Sequence, residues 1–330
     1  MGSPAPSVYS LTSSLREQSF RQEYGREVNS YSEVYRLPAD EEEVLRLDKQ
    51  HRMFKIMMGQ WVPPLPDVLS PEPGITKSVL DLGCGSGAWI ADVARAFPEC
   101  SAVGVDLAPV QTLPMPPNCR TEVDDINLGL EHFYDSFDVV HTRLVSSGIR
   151  DYAGLINHMV RCLRPRGLIV LYEFDFRLYH PDTRVAPPWS TTCPPEEATY
   201  LCRWFGALRR AVAQRGGDVD AATHLHTWIL QHDCFSEDEV TYCEYWLPTA
   251  PSEYQKEWGV VGKHPKEVGE LMREDLACFL RSGRPLLFGN GISPAEVNIL
   301  ETNAARELQT AEHPLFARVQ CVYARKKAVG

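Results

Sequence analysis

Asp81 stands two residues before three closely spaced glycines in the stretch VLDLGCGSGA (79–88). Glycines at 83, 85 and 87 remove side chains so that backbone can approach a ligand closely. Gly83-x-Gly85-x-x-Ala88 satisfies the dinucleotide fingerprint, and Asp106 lies at a suitable distance downstream. The same residues satisfy a second template, an acid followed by a tight glycine cluster. The sign of charge separates the two. A dinucleotide site keeps this strand tip apolar, because a carboxylate there faces a pyrophosphate. S-adenosylmethionine carries an α-ammonium and a sulfonium and no phosphate, so Asp81 can accept a charge-assisted hydrogen bond from it. Metal is not expected.

Further acids extend that reading. Asp106 can accept from both ribose hydroxyls, a role shared with dinucleotide sites. Asp124 and Asp125 can accept from an adenine amino group, and Leu107 and Ile126 sit beside these acids. Arg143 can pair with a methionine carboxylate, with Asp138 or with another structural acid. For proton transfer, the candidates are His141, Glu173 and His51. His141 is a general-base candidate. Glu173 can orient an amine or hydroxyl acceptor or hold the neighbouring loop. His51 faces cofactor or substrate, or is a core histidine with a satisfied hydrogen bond. Tyr31 and Tyr35 can close over the cofactor or simply pack. His224 and His226 diverge by about 200° on a helix, which argues against a shared ion.

These residues need elements to hold them. Asp40-x-x-Glu43 makes a capping box. Val44, Leu47, His51, Phe54 and Met58 line one face of the following helix, with Arg46, Lys49 and Lys55 mostly away from it. Strands are predicted at 78–82, 101–107, 120–126, 137–143 and 168–176, with helices between them, the last closed by Pro165 and Gly167. Strands alternating with helices imply a doubly wound, mostly parallel α/β sheet with its ligand at the carboxyl ends of the strands. Beyond residue 176 the rhythm breaks: helices are expected at about 196–214, 219–231 and 264–282, a sixth strand at 240–246 and a last one at 316–326. The organisation expected is a flexible extension over 1–28 and one domain over 29–330. Within it lie a cofactor-binding core (about 75–176), an inserted helical cap (about 177–262) and a C-terminal part (about 263–327). The cap aromatics Trp189, Trp204, Phe205, Trp228, Tyr242, Tyr245 and Trp246 supply a pool from which an apolar acceptor pocket can be lined.

Composition narrows the partners. A formal net charge of −11 argues against a general nucleic-acid binder, which needs a basic stripe. Ten cysteines without a C-x-x-C pair read as reduced thiols in the cytoplasm or nucleus. No apolar run approaches the ~18 residues of a membrane span, and the N-terminus lacks the apolar core of a signal peptide.

The segments VLDLGCGSG, GVDLAPVQ, PPNCRTEVDDI, FDVVHTR and LRPRGLIVLYEFD, in this order, resemble the class I S-adenosylmethionine-dependent methyltransferases. With YRLPADEEEVLRLDKQH upstream, the chain resembles the LaeA-like methyltransferases of fungi. The resemblance covers about residues 30–175 and the final strand. It departs mildly where the family often has G-T-G-T-G and this chain has GCGSG. The resemblance implies a seven-stranded Rossmann-like sheet with an antiparallel last strand, and it adds Gln50, through the family's Gln-His pair, to the cofactor set. It implies methyl transfer to an oxygen or nitrogen of a small molecule in fungal secondary metabolism. The alternative is a LaeA-like regulator acting through protein partners, with a nuclear location.

Overall fold

The computed structural model describes residues 18–109, 115–180, 198–251, 264–313 and 315–328. It begins with a hairpin of β1 (Phe20–Glu23) and β2 (Arg26–Asn29). Tyr24 and Gly25 both take positive φ, 50° and 81°, as a two-residue hairpin turn of this hand requires. Residues 20–28, expected as the end of a flexible extension, form this hairpin. FRQE and REVN are short and polar, so they carry no alternation by which a strand is recognised.

Helix α1 (Glu41–Met58) starts where the capping signal places it, with the Asp40 side chain accepting from Glu43 N at 3.1 Å. Glu43 does not reciprocate as a capping box would. It turns inward with Arg46, and both are buried, so Arg46 is not on the solvent side as its sequence position suggests.

The sheet has seven strands: β3 (Ser78–Leu82), β4 (Ser101–Asp106), β5 (Cys119–Val123), β6 (Phe137–Arg143), β7 (Leu163–Tyr179), β8 (Val240–Pro248) and β9 (Phe316–Arg325). Their order across the sheet is β5-β4-β3-β6-β7-β9-β8. The pairs from β5 to β7 are parallel, whereas β9 runs antiparallel to both β7 and β8. This is the doubly wound, mostly parallel architecture with an antiparallel last strand. Strand β7 is longer than expected, starting at Leu163 directly after helix α3 (Tyr152–Cys162). Pro165 thus lies in an irregular strand start, where the register to β6 shifts.

Side-chain alternation divides the core in two. Val79 and Val139 face helix α2 (Ala88–Ala96), while Leu80 and Val140 face α3. Helix α4 (Tyr200–Gln214) joins the first layer, and α5 (Ala221–Leu230) the second through Ala221, Leu225 and Ile229. The segment near 219–231 is therefore a layer helix under the sheet rather than part of a cap. The roof over the strand ends is built from α1, α4 and α6 (Pro265–Ser282), with α7 (Pro294–Thr310) packing behind α4 and α6. No helix among the described residues is long and apolar enough to cross a membrane.

Candidate functional site

The glycine turn after β3 is tied to β4 before any ligand is considered. The backbone N–H groups of Gly83 and Cys84 both donate to Val105 O, at 2.8 and 2.9 Å. Gly83, Gly85 and Gly87 take φ of 70°, 56° and 78°, a region that disfavours side chains. A Cβ on Gly83 would also meet Val145 Cγ1 at 2.4 Å. Gly83 and Gly85 line a cavity at the strand ends, while Gly87 lies outside its wall as the N-cap of α2. Cys84 is a half-buried thiol held well above its ordinary pKa by desolvation, which suits an inert filler.

Strand pairing brings the charged residues together. Asp81 and His141 are opposite each other in the β3–β6 register, and period-two alternation puts Arg143 on the same face. The Asp81 carboxylate accepts from His141 Nδ1 at 2.7 Å. The imidazole is 1% exposed and stacks on Trp89, with centroids 3.6 Å apart. Burial lowers its pKa despite Asp81, so the ring is neutral, and its Nε2 has no partner among the described residues. Arg143 has no carboxylate beside its guanidinium among the described residues. It rests on the Phe54 ring at 4.9 Å and meets His51 Nδ1 at 3.4 Å. Burial lowers its pKa. Asp138 is not its partner: that acid sits at the start of β6 and accepts from Arg164 and from Ser78 N.

Asp106 accepts from Gly85 N at 2.8 Å and Ala108 N at 3.1 Å, and burial pushes its carboxyl up to about 6. Leu107, Asp124, Asp125 and Ile126 continue the cavity wall. Asp124 Oδ1 accepts from Asp125 N, and Asp125 Oδ1 accepts from Asn127. Asn127, which was not anticipated, also bonds Gly148 O and Arg150 N, bracing the loop after β6.

Three expected residues take other places. Glu173 reaches the cavity wall, but both its oxygens are occupied. Oε1 accepts from Val145 N, Ser146 N and Tyr152 OH, and Oε2 from Ser146 Oγ. Burial raises its pKa to about 7 against those donors. Its geometry is that of a brace for the 145–148 loop, the structural reading of this residue. His51 is buried behind the wall, between Arg143 and Asp92, and does not line the cavity. Tyr31 is 54% exposed and lies away from it, whereas Tyr35 lines it. Gln50 does line the cavity and donates to Asp275 Oδ2 at 3.3 Å.

The other half of the wall rises over β7, β9 and β8. Phe174 and Phe176 come from β7, Ala317 and Val319 from β9, and Leu247 from β8. Phe205 of α4 and Met272, Leu276 and Phe279 of α6 close it from above. Of the cap aromatics, Phe205 lines the cavity. Trp204 packs behind it against Phe279, Trp228 stacks on Tyr152, and Trp246 packs on Tyr179. Trp189 lies outside the described residues. His224 and His226 stack on different rings, Trp228 and Tyr242, as their divergence requires. Sequence reading missed the buried cluster of Glu43, Arg46 and Asp275. Arg46 Nη1 donates to Asp275 at 2.8 Å across 229 residues of chain. Nothing local signals such a pairing.

A family model described as a methyltransferase domain matches residues 50–226. The secondary metabolism regulator laeA of Coprinopsis cinerea is 44% identical over 318 residues, covering 93% of this chain and 74% of that protein. Methyltransferase pytC of Aspergillus terreus is 28% identical over 317 residues, covering 94% and 89%. Among solved structures, Haemonchus contortus phosphoethanolamine N-methyltransferase 2 in complex with S-adenosyl-L-methionine is similar at a TM-score of 0.44 and 16% identity. The match covers 86% of this chain and 57% of that one.

Proposed function

This chain belongs to the class I S-adenosylmethionine-dependent methyltransferases, and on that premise we propose how its residues hold the cofactor and what it serves. The observation that carries the cofactor reading is Arg143, a cavity guanidinium with no carboxylate beside it among the described residues, set one strand from Asp81. A ligand bearing both an ammonium and a carboxylate satisfies both groups, with Asp81 accepting from the ammonium and Arg143 donating to the carboxylate. A pyrophosphate would instead face Asp81 and Asp106. Asp106 accepts from the ribose hydroxyls, Asp124 and Asp125 from the adenine amino group, and Leu107 and Ile126 flank the adenine. Gly83 and Gly85 keep the floor free of side chains, and Gln50 and Tyr35 contribute to the wall of α1 and its approach. When bound, the cofactor supplies a methyl group on a sulfonium with its leaving group already attached.

The chain's own residues then mainly align and exclude water. His141 is the base candidate that the geometry favours. Its Nδ1–H is committed to Asp81, so the Nε2 lone pair is the proton acceptor. Glu173 holds the loop after β6, and His51 sits behind the wall.

For the biological role, we read the chain as a LaeA-like regulator of secondary metabolism that methylates a protein partner. Identity of 44% to such a regulator, over 93% of this chain and 74% of that protein, supports it. The second reading is methylation of an oxygen or nitrogen of a small molecule. The phenylalanine-lined half of the cavity and the similarity to pytC favour it. Calorimetric titration is expected to show binding of S-adenosylmethionine and none of NAD, and Asp81→Ala is expected to weaken the former at least tenfold, about 1.4 kcal/mol. Tight NAD binding without S-adenosylmethionine binding would sink the cofactor reading. Incubation of native extract with methyl-labelled cofactor separates the roles: label confined to protein supports the regulator, and label in small molecules supports the second reading.

A further inference from the structure

His51 is buried, lies outside the cavity wall, and has a partner at each ring nitrogen. Arginine only donates, so Nδ1, 3.4 Å from Arg143 Nη2, must present its lone pair. Nε2 then carries the hydrogen and donates it to Asp92 Oδ2 at 3.1 Å. Asp92 is held ionised, its carboxyl kept well below the ordinary range by the His51 hydrogen bond and by Lys55 at 2.6 Å. Arg95 adds a further bond at 3.2 Å. One tautomer of His51 is therefore set by a carboxylate on α2 and read out by a guanidinium on β6. On its other side that guanidinium meets the face of Phe54, a contact that attracts a cation without neutralising it.

We propose that His51 is a positioning residue: with Phe54 it aims the Arg143 guanidinium into the cavity through a neutral acceptor, leaving its whole charge for a ligand carboxylate. This rests on the reading that Arg143 takes the carboxylate of the cofactor. An acidic residue at position 51 would hold Arg143 equally well but would spend the charge. The charged and titratable groups facing His51 are Asp92 from α2, Lys55 on its own helix, and Arg143 and His141 from β6. Burial, Arg143 and Lys55 lower its pKa against the pull of Asp92, so the ring is neutral near pH 7. Protonation removes the lone pair and sets a second cation beside Arg143. The carboxylate-dependent part of cofactor affinity is thus present at neutral pH and lost as pH falls below the ordinary histidine value of about 6.5.

The test is calorimetric titration of the full chain with S-adenosylmethionine and with decarboxylated S-adenosylmethionine. The readout is the ratio of their affinities, from which the titration of Asp106 cancels because both ligands carry the same ribose. His51→Leu is expected to reduce the ratio roughly three- to tenfold. His51→Gln, whose amide can accept from Arg143 and donate to Asp92, is expected to keep it within about twofold. In the wild type the ratio is expected to stay level above about pH 6.5 and to fall as pH drops below it, and in the Gln variant to stay flat. Arg143→Leu is the control. If it collapses the ratio while His51→Leu leaves it at the wild-type value, the positioning role is overturned and the cofactor reading stands. If Arg143→Leu leaves the ratio unchanged, both fall. Should His51→Leu not fold, a wild-type ratio flat with pH overturns the proposal by itself.

Discussion

Over β5, β4, β3 and β6 the cavity wall carries Asp81, Asp106, Asp124, Asp125 and Arg143; over β7, β9 and β8, beyond Glu173 at the join, it is lined by phenylalanine, leucine, valine and alanine. The polar half is assembled from strand tips and the turns that follow them: Asp106, Asp124 and Asp125 accept from backbone N–H groups nearby, and Asp81 and Arg143 each meet a histidine ring. The apolar half depends on α4 and α6, helices distant in sequence that must pack correctly before Phe205 and Phe279 reach it. Two halves built this differently are separable in principle. On the proposed assignment of the polar half to the cofactor and the apolar half to the acceptor, altering side chains on the two helices is expected to change the acceptor and leave the cofactor. Asp275, a charged group in the roof, is matched by Arg46 and Gln50 of α1.

The separation can be broken or sharpened by experiment. Phe205 is 1% exposed and packed among Phe174, Trp204 and Phe279. Phe205→Ala is expected to cost about 3–5 kcal/mol of stability in denaturant unfolding. Cofactor affinity of the folded fraction should stay unchanged; a parallel loss would mean that the halves are coupled.

Glu173 sits on β7, where the two halves join. Its folded pKa of about 7 lies above the unfolded value, so the folded state binds the proton more tightly. Its stabilising effect is therefore largest below about pH 4.5 and is lost as pH rises to about 7. The stability of wild type relative to Glu173→Gln is expected to fall across that window by up to about 3 kcal/mol. A difference constant with pH would show that Glu173 does not titrate there.

Asp106→Asn tests the polar half alone. Cofactor affinity is expected to drop ten- to hundredfold, about 1.4–2.7 kcal/mol. In the wild type, the dissociation constant should climb by up to tenfold per pH unit as pH falls below about 6, where Asp106 protonates. The Asn variant should lack that component. The smallest effect belongs to Phe279→Leu, which keeps an apolar side chain in the roof. A stability cost of roughly 1 kcal/mol is expected, with a changed KM for the acceptor and an unchanged cofactor dissociation constant. A cofactor effect as large as the acceptor effect would erase the distinction.

The polar half was the legible one, for a physical reason. A strand alternates its side chains with a period of two, and a parallel sheet presents its carboxyl ends together. Asp81, His141, Arg143 and Asp106 could therefore be assigned to one rim from their places in three apolar runs. The seven strands were recognisable in the same way. The hairpin at 20–29 was not, because its strands have no apolar face to declare them. Nor was the layer position of α5: its apolar stripe says that it packs, but not on which surface.

Residue types and spacing by themselves determined the strand tips, the glycine turn and the sign of the charge they meet, since all of these depend on neighbours a few residues away. Only the tertiary structure decided that Tyr35 rather than Tyr31 faces the cavity, that His51 stands behind Arg143 rather than in front of it, and that Arg46 is buried. A charged side chain is assigned to solvent unless a partner compensates its desolvation. For Arg46 that partner is Asp275, which only the folded chain brings within 2.8 Å.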